Sequence, residues 1–162
     1  IPLRLVGSEM CIRDSEQENL KIFRDYDPSI PEIYGDEDLF IQAILNIIKN
    51  AQQAISNADD PQITIKSRVT YSQPINGNLH STLCEVSIID NGPGIPVDIQ
   101  DQVFFPMVSS KEDGSGLGLS ISQDIIRIHG GAISFETKKG KTAFSILIPI
   151  NVESKKDEVK SA

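Results

Sequence analysis

The sequence is poor in cysteine, in positive charge and in long apolar runs, and each shortage excludes a class of protein. Its two cysteines, Cys11 and Cys84, are far apart and match no metal-ligand spacing, so we expect a reducing compartment. Lys and Arg total 15 against 23 Asp and Glu, a formal net charge of −8, which argues against a nucleic-acid partner. No apolar stretch approaches the roughly 20 residues of a membrane-spanning helix. These features favour a cytoplasmic protein that binds neither nucleic acid nor membrane.

The 162 residues suffice for one domain with its own core, and the two ends differ in composition from the rest. The stretch "VGSEMCIRDS", within the first fifteen residues, resembles a translated sequencing adapter. We therefore expect residues 1–15 to be a non-native or disordered leader, with a genuine N-terminal arm as the alternative. The charged ending "NVESKKDEVKSA" lacks apolar periodicity and predicts a disordered tail over residues 152–162. The folded domain is then expected at residues 16–151.

Apolar periodicity predicts the element order β-α-β-β-α-β-β. The longest helix is predicted from Glu37 to about Ser56, with Asp36 as its N-cap, and it has one apolar face. The residues of that face are Ile41, Ile44, Ile48, Ala51 and Ile55, while Asn46 and Asn50 point to nearly the opposite side. The order predicts an α+β fold, a two-layer α/β sandwich in which about three helices cover one face of a mixed, mostly antiparallel sheet.

The glycine-rich stretch "DGSGLGLSIS" indicates backbone that approaches a phosphate. Gly114, Gly116 and Gly118 form G-x-G-x-G, which is neither the dinucleotide motif nor a P-loop. Glycines let backbone N–H groups approach phosphate oxygens, and the second helix, predicted from about Gly118 to His129, adds the positive end of its dipole. The alternative is a flexible loop that merely caps this helix.

Two further patterns could bind a nucleotide and its cation. In "LNIIKNAQQAI", Asn46 and Asn50 lie one helical turn apart, and amide oxygens are suitable ligands for Mg²⁺. The alternative is a solvated helix face. In "SIIDNGPGIP", a buried strand ends in Asp90, whose carboxylate could accept a hydrogen bond from the exocyclic amine of adenine. Gly92 and Gly94 then break the chain, so the alternative is a turn in which Asp90 caps its own backbone.

In combination, the three motifs and the phenylalanine pair of "QVFFPM" resemble the Bergerat ATP-binding fold of histidine kinases and gyrase-type ATPases, over roughly residues 17–150. The stretches "RDYDPSIPEIYGDEDLFIQAILNIIKNAQQAI" and "DNGPGIPVDIQDQVFFPMVSSKEDGSGLGLSISQDIIRIHGGAISF" are similar to the catalytic domain of nitrogen-regulation sensor histidine kinases of the NtrB type. The resemblance implies that residues 16–151 form an ATP-binding catalytic domain that uses ATP and Mg²⁺.

The resemblance also assigns residue roles. Asn50 would bind Mg²⁺, Asn46 would support the phosphates or a metal-bound water, and Asp90 would bind the adenine amino group. Further nucleotide contacts are implied for Gly92, Gly94, Phe105, Lys111, Gly114, Gly116, Leu117, Gly118 and Thr142. Asn46 and Lys111 would be the catalytic pair, with Lys111 at the terminal phosphate and a solvated loop lysine as its alternative. In "GKTAFSILIPI" one residue separates Gly140 from Thr142, where many relatives place glycine directly before threonine, which makes the Thr142 contact less secure.

Position 46 distinguishes the branches that share this fold. Gyrase-like ATPases carry a glutamate there to activate water, whereas asparagine cannot act as a general base. The resemblance therefore implies transfer of the γ-phosphoryl group to a protein histidine, with catalysis by positioning and charge neutralisation. The alternatives are a stand-alone serine kinase of the anti-sigma-factor type and a non-catalytic ATP-binding module.

The sequence contains two histidines, and neither has the setting of a phosphoacceptor. His80 lies between two predicted strands, and His129 precedes two glycines at a helix end, which favours a structural role. The implied partners are therefore a separate His-bearing dimerisation and phosphoacceptor domain, a response regulator and a PII-type regulator. The implied setting is the cytoplasm of a bacterium.

Overall fold

The computed structural model describes residues 19–109 and 115–150, which form a sheet with helices packed on one face. The strands are β1 (Lys21–Tyr26), β2 (Gln62–Ile75), β3 (Asn78–Asp90), β4 (Ala132–Lys138) and β5 (Lys141–Pro149). The helices are α1 (Glu37–Ala54), α2 (Gly118–Ile128) and a short 3₁₀ helix at Val97–Gln102. The predicted α+β sandwich is confirmed, and the third of its helices is the 3₁₀ turn. None of the helices among these residues is long and apolar enough to cross a membrane.

The sheet has the strand order β1-β2-β3-β5-β4, and three of its four pairings are antiparallel. The parallel pair is β1 with β2, which are joined by the crossover helix α1. The β2–β3 hairpin turns at Asn76 and Gly77, both with positive φ, as the Asn-Gly pair predicts. In register, Asp90 at the end of β3 lies between Ile63 on β2 and Thr142 on β5.

The core lies between the helices and the facing side of the sheet. The buried residues of α1 are Phe40, Ala43, Ile44, Ile47, Ile48 and Ala51. The predicted apolar face is wrong at Ile41, which is only half-buried. The reason is that the sheet and α2 together cover the side of α1 that is centred on Ile44 and Ile47. The pattern of apolar residues in the sequence did not show where the centre of this buried side lies.

His129 ties the end of α2 to the start of α1. Its Nε2 accepts a hydrogen bond from the Asp36 backbone N–H at 3.1 Å, so the neutral ring carries its proton on Nδ1 and donates it to the Ile125 carbonyl at 2.8 Å. The ring also packs on Phe40, with centroids 4.2 Å apart. The Asp36 side chain in turn caps α1 by accepting from Leu39 N at 3.1 Å. His129 is thus a structural residue, as its place before two glycines predicts.

Candidate functional site

One stripe of α1 connects the predicted motifs. Asn46, Asn50 and Ala54 are spaced by four residues, so they follow one side of the helix over about 12 Å. All three are half-buried. The two ends of this stripe contact different loops, and these contacts define the site.

At the first end, Asn46 contacts the start of α2. Its Nδ2 donates a hydrogen bond to the Gly118 carbonyl at 3.3 Å. Among the described residues no side chain caps the N-terminus of α2, and its first turn contains no acidic residue, whereas α1 has the Asp36 cap and two acidic residues in its first turn. The positive end of the α2 dipole is therefore not neutralised by its own helix, as an anion-binding helix start requires.

At the other end, the loop after β3 packs against the last turn of α1. A Cβ atom placed on Gly92 would lie 3.2 Å from the Ala54 carbonyl oxygen and 2.8 Å from Asp90 Oδ1. Any side chain at Gly92 would therefore separate β3 from α1. Asn50, midway along the stripe, thus lies between the D-x-G-x-G loop and the glycine-rich loop.

Asp90 is buried at the end of β3, with 4% of its surface exposed. Its Oδ1 accepts a hydrogen bond from the Gly92 backbone N–H at 2.8 Å, so the alternative of a self-capping turn is realised at one carboxylate oxygen. Opposite it in the sheet lies the equally buried Thr142, whose hydroxyl lies 2.9 Å from that of Thr137. Thr137 also accepts from Ile95 N at 2.9 Å. Thr137 was not predicted, because its contact with Ile95 joins positions 42 residues apart in sequence.

The β4–β5 turn holds the D-x-G-x-G loop in place. Gly94 has a φ of +91°, and a Cβ there would lie 2.9 Å from the Lys138 carbonyl oxygen. The Gly140 N–H donates to the Gly92 carbonyl at 3.0 Å. The loop beside Asp90 is therefore fixed by backbone contacts rather than free to collapse into the site.

A backbone hydrogen bond joins the glycine-rich segment to the chain that follows the phenylalanine pair. Met107 N donates to the Gly116 carbonyl at 2.9 Å. Gly116 has a φ of +65°, and a Cβ there would lie 2.6 Å from the Met107 carbonyl carbon and 2.8 Å from Val108 N. Leu117 follows, partly exposed. The predicted Lys111 and Gly114, together with Ser110, lie outside the described residues.

The two adjacent phenylalanines, Phe104 and Phe105, have different surroundings. Phe104 packs with Phe135 and Phe144 at centroid distances of 6.0 and 6.3 Å, and so fixes the chain before Met107 to the core. Phe105 is 59% exposed, so its predicted contact with the nucleotide remains a prediction. The sequence alone could not tell which of two adjacent phenylalanines faces the core.

Two further observations concern metal ligands and cavities in the described residues. Among residues 19–109 and 115–150, no group of three or more His, Cys, Asp or Glu side chains could hold a metal ion. A separate cleft of about 230 Å³, lined by Tyr34, His80 and Pro149 among others, lies at the opposite end of β5 and contains none of the predicted residues.

Comparison with known proteins places these motifs in a family context. The family described as "Histidine kinase-, DNA gyrase B-, and HSP90-like ATPase" matches residues 35–152. The sensory histidine kinase/phosphatase NtrB of Vibrio alginolyticus is 48% identical over 134 residues, which cover 83% of this chain and 38% of that protein. The NtrB of Klebsiella oxytoca is 43% identical over 133 residues, 82% of this chain and 38% of its own length. The chain thus spans less than two fifths of these relatives.

Solved structures show the same architecture. The catalytic domain of the histidine kinase ThkA superimposes with a TM-score of 0.69 at 29% identity, covering 89% of this chain and 86% of that one. The mycobacterial sensor histidine kinase MprB superimposes with a TM-score of 0.70 at 25% identity, covering 89% of this chain and 91% of that one.

Proposed function

This chain belongs to the family of histidine kinase-, DNA gyrase B- and HSP90-like ATPases, and from that premise we propose that it is the ATP-binding catalytic domain of an NtrB-type sensor histidine kinase. The observation that carries the proposal is the α1 stripe, which has Asn50 at its centre, the α2 N-terminus at one end and Asp90 with Gly92 at the other. That arrangement offers a base site and a phosphate site on one helix, separated by about the length of a mononucleotide.

ATP binds, in this proposal, with its adenine at Asp90 and its phosphates at the start of α2. The carboxylate accepts a hydrogen bond from the adenine amino group, and Thr142 lies opposite it in the sheet. Because Gly92 and Gly94 have no side chains, the loop leaves room for the adenine base beside it. Gly116 and Gly118 present backbone N–H groups to the phosphates, and Leu117 lies between them, with its own N–H donating to Ser115 Oγ at 3.4 Å. Phe105, Lys111 and Gly114 complete the proposed contacts, with Lys111 at the terminal phosphate.

Mg²⁺ fits the donor chemistry of the site. The amide oxygen of Asn50 is a hard oxygen ligand, and in the described residues no carboxylate cluster competes for the ion. Asn46 is the second amide on the stripe, with its nitrogen already donating to Gly118, which leaves its oxygen as the acceptor side. Mg²⁺ would neutralise phosphate charge when bound.

Phosphoryl transfer rather than rapid hydrolysis follows from Asn46. An asparagine cannot take a proton from water, and here its amide nitrogen is engaged with the Gly118 carbonyl. The chain's own contribution is then to orient ATP, with Lys111 at the γ-phosphate.

The proposed phosphoacceptor is a histidine on a separate domain, because neither His80 nor His129 has the sequence setting of a phosphoacceptor. His129 uses both ring nitrogens in hydrogen bonds to the backbone and is not available for phosphorylation. The proposed partners are a His-bearing helical hairpin, a response regulator and a PII-type regulator, in the bacterial cytoplasm. The NtrB relatives support this setting, and no observation favours the serine-kinase alternative.

Nucleotide titration of the purified chain tests the base assignment. We expect micromolar-range binding of Mg-ATP, and at least a 10-fold weaker affinity in Asp90→Asn, because a buried carboxylate that accepts the amino group is replaced by a neutral amide. Asp124→Asn is the matched control, since the contact of Asp124 within the described residues is an exposed ion pair with Arg127 on α2. Unchanged ATP affinity in Asp90→Asn would refute the adenine assignment.

Phosphotransfer to a separately supplied NtrB-type hairpin tests the reaction. Incubation with labelled ATP should produce an acid-labile phosphate on the hairpin histidine. An acid-stable phosphate on an anti-sigma antagonist would instead support the serine-kinase alternative. ATP binding with no transfer to either substrate would support a non-catalytic module.

A further inference from the structure

Ser122 is a polar side chain buried completely between the two α-helices. It has no exposed surface, and its Oγ lies 3.0 Å from the Ala43 carbonyl oxygen on α1 and 2.9 Å from the Gly118 carbonyl oxygen on its own helix. A serine hydroxyl has one hydrogen to donate, so Ser122 shares it between the backbones of the two helices. No role was predicted for Ser122 from the sequence, because its partner on α1 is 79 residues away.

Packing alone does not explain a serine at this position. Ser122 faces Ala43, which is also fully buried, and small residues at a helix crossing let the backbones approach closely. An alanine would fill nearly the same volume without a hydroxyl to desolvate. Burial of the hydroxyl costs free energy, and the hydrogen bond that it shares between the two carbonyl groups offsets this cost.

The carbonyl that Ser122 contacts belongs to the candidate phosphate site. The Gly118 carbonyl accepts from Ser122 Oγ and from Asn46 Nδ2, so two side chains hold the first residue of α2. Both hydrogen bonds hold the first turn of α2, whose N–H groups have no side-chain cap among the described residues. The first turn of α2 is thus fixed to α1 at Ala43 and at Asn46, one helical turn apart.

We propose that Ser122 is a positioning residue for phosphate binding: it holds the first turn of α2 in register with Asn46, so that its backbone N–H groups face the triphosphate. This proposal rests on the proposed function. Ser122 touches no nucleotide itself, and it acts through Gly118 and Asn46. Its loss should therefore weaken contacts to phosphate and leave contacts to adenine unchanged.

The test compares ligands with and without phosphates. The affinities of Mg-ATP and of adenosine are measured by calorimetry and NMR titration for the unchanged chain, Ser122→Ala and Ser122→Cys. Loss of one hydrogen bond in Ser122→Ala predicts a Kd for ATP that is about 3- to 10-fold higher, with the Kd for adenosine within about twofold. Ser122→Cys keeps a weak donor in a somewhat larger side chain, so its ATP affinity should lie between those of the original chain and Ser122→Ala.

Ser87→Ala is the matched control. Ser87 is a half-buried serine whose hydroxyl lies 3.1 Å from that of Ser145, on the sheet face that the helices do not cover. It should leave the ratio of ATP to adenosine affinity unchanged. A purely structural role of Ser122 would lower both affinities together, and that result would overturn the proposal, as would an unchanged ratio in Ser122→Ala. If the unchanged chain binds adenosine and ATP equally or not at all, the proposed function itself fails and the role of Ser122 fails with it.

Discussion

The close contact between Gly116 and Met107 allows a quantitative test of how the glycine-rich segment is anchored. Gly116→Ala introduces two costs at once. A φ of +65° costs an alanine about 1–2 kcal/mol. Its Cβ would also lie 2.6–2.8 Å from backbone atoms of Met107 and Val108, and such overpacking costs about 1–3 kcal/mol. Because backbone atoms cannot rotate away from the new Cβ, we expect Gly116 to move away from Met107, with loss of the hydrogen bond between them.

The effect should appear in nucleotide affinity more than in global stability. Opening this segment leaves the core between α1 and the sheet in place, so the protein can relieve the strain locally. The combined cost of about 2–5 kcal/mol sets the upper limit of the loss, and we expect the Kd for ATP to rise at least 10-fold, with a small change in Tm. Titration calorimetry and a thermal melt of the same sample measure both quantities.

Gly77→Ala separates the backbone effect from the contact effect. Gly77 has a φ of +83°, but a Cβ added there would meet no atom of the described residues within 4 Å, and it lies at the tip of the β2–β3 hairpin. The substitution should cost about 1–2 kcal/mol, or roughly 4–8 °C in Tm, and leave ATP affinity unchanged. If Gly116→Ala binds ATP as the unchanged chain does, the Met107–Gly116 closure has no part in forming the phosphate site.

Three further predictions concern stability and reactivity. Burial, and then the nearby Asp27 and Glu85 charges, raise the pKa of Cys84 to about 11, so its thiol should resist alkylation at pH 8 until the protein is unfolded. Mass spectrometry of the Cys84 peptide measures the labelling, and rapid labelling of the native chain would contradict the burial of this thiol. His129→Ala removes two hydrogen bonds and a ring contact, so chemical denaturation should show a loss of about 2 kcal/mol, with ATP affinity unchanged if the role is structural alone. Hydrogen bonds from the Ser29 side chain, then from the Ser29 and Val69 backbones, hold the pKa of Asp27 below its ordinary value of 3.8. Its stabilising effect is therefore present above pH 3.8 and is lost as the pH falls through the folded pKa. Denaturation at pH 7 and at pH 2 should show a difference in stability between the original chain and Asp27→Asn that is smaller at the lower pH.

The local signals in the sequence predicted most of the fold. Asp36 as the N-cap of α1 depends on neighbours within a few residues, and it is confirmed. The Asn76-Gly77 turn and the alternating burial of Ile63, Ile65 and Ser67 follow equally local rules. The family followed from the order of the motifs, and it too is confirmed. Such features are predictable because the physical interactions that produce them are short in sequence.

The features that sequence analysis missed depend on contacts between distant segments. The parallel pairing of β1 with β2, the contact of Thr137 with Ile95, and the buried Ser122 each join residues whose approach the tertiary fold decides. The choice of Phe104 over Phe105 as the core residue has the same cause, since it depends on the positions of β4 and β5. The assignments at Asn50, Asp90 and Lys111 remain predictions until nucleotide binding is measured.

The parallel β1–β2 pair has a consequence for building active two-part proteins from this chain. Lys21, the first residue of β1, is in register with Gln62, and the adjacent Ile63 pairs with Asp90, so β1 starts at the same end of the sheet as the proposed adenine site. Two strand spacings, about 10 Å, separate them. β5 instead runs about 30 Å away from that end before it stops at Pro149. A domain fused ahead of β1 would therefore begin near the proposed adenine site, whereas a domain fused after β5 would begin at the opposite end of the sheet.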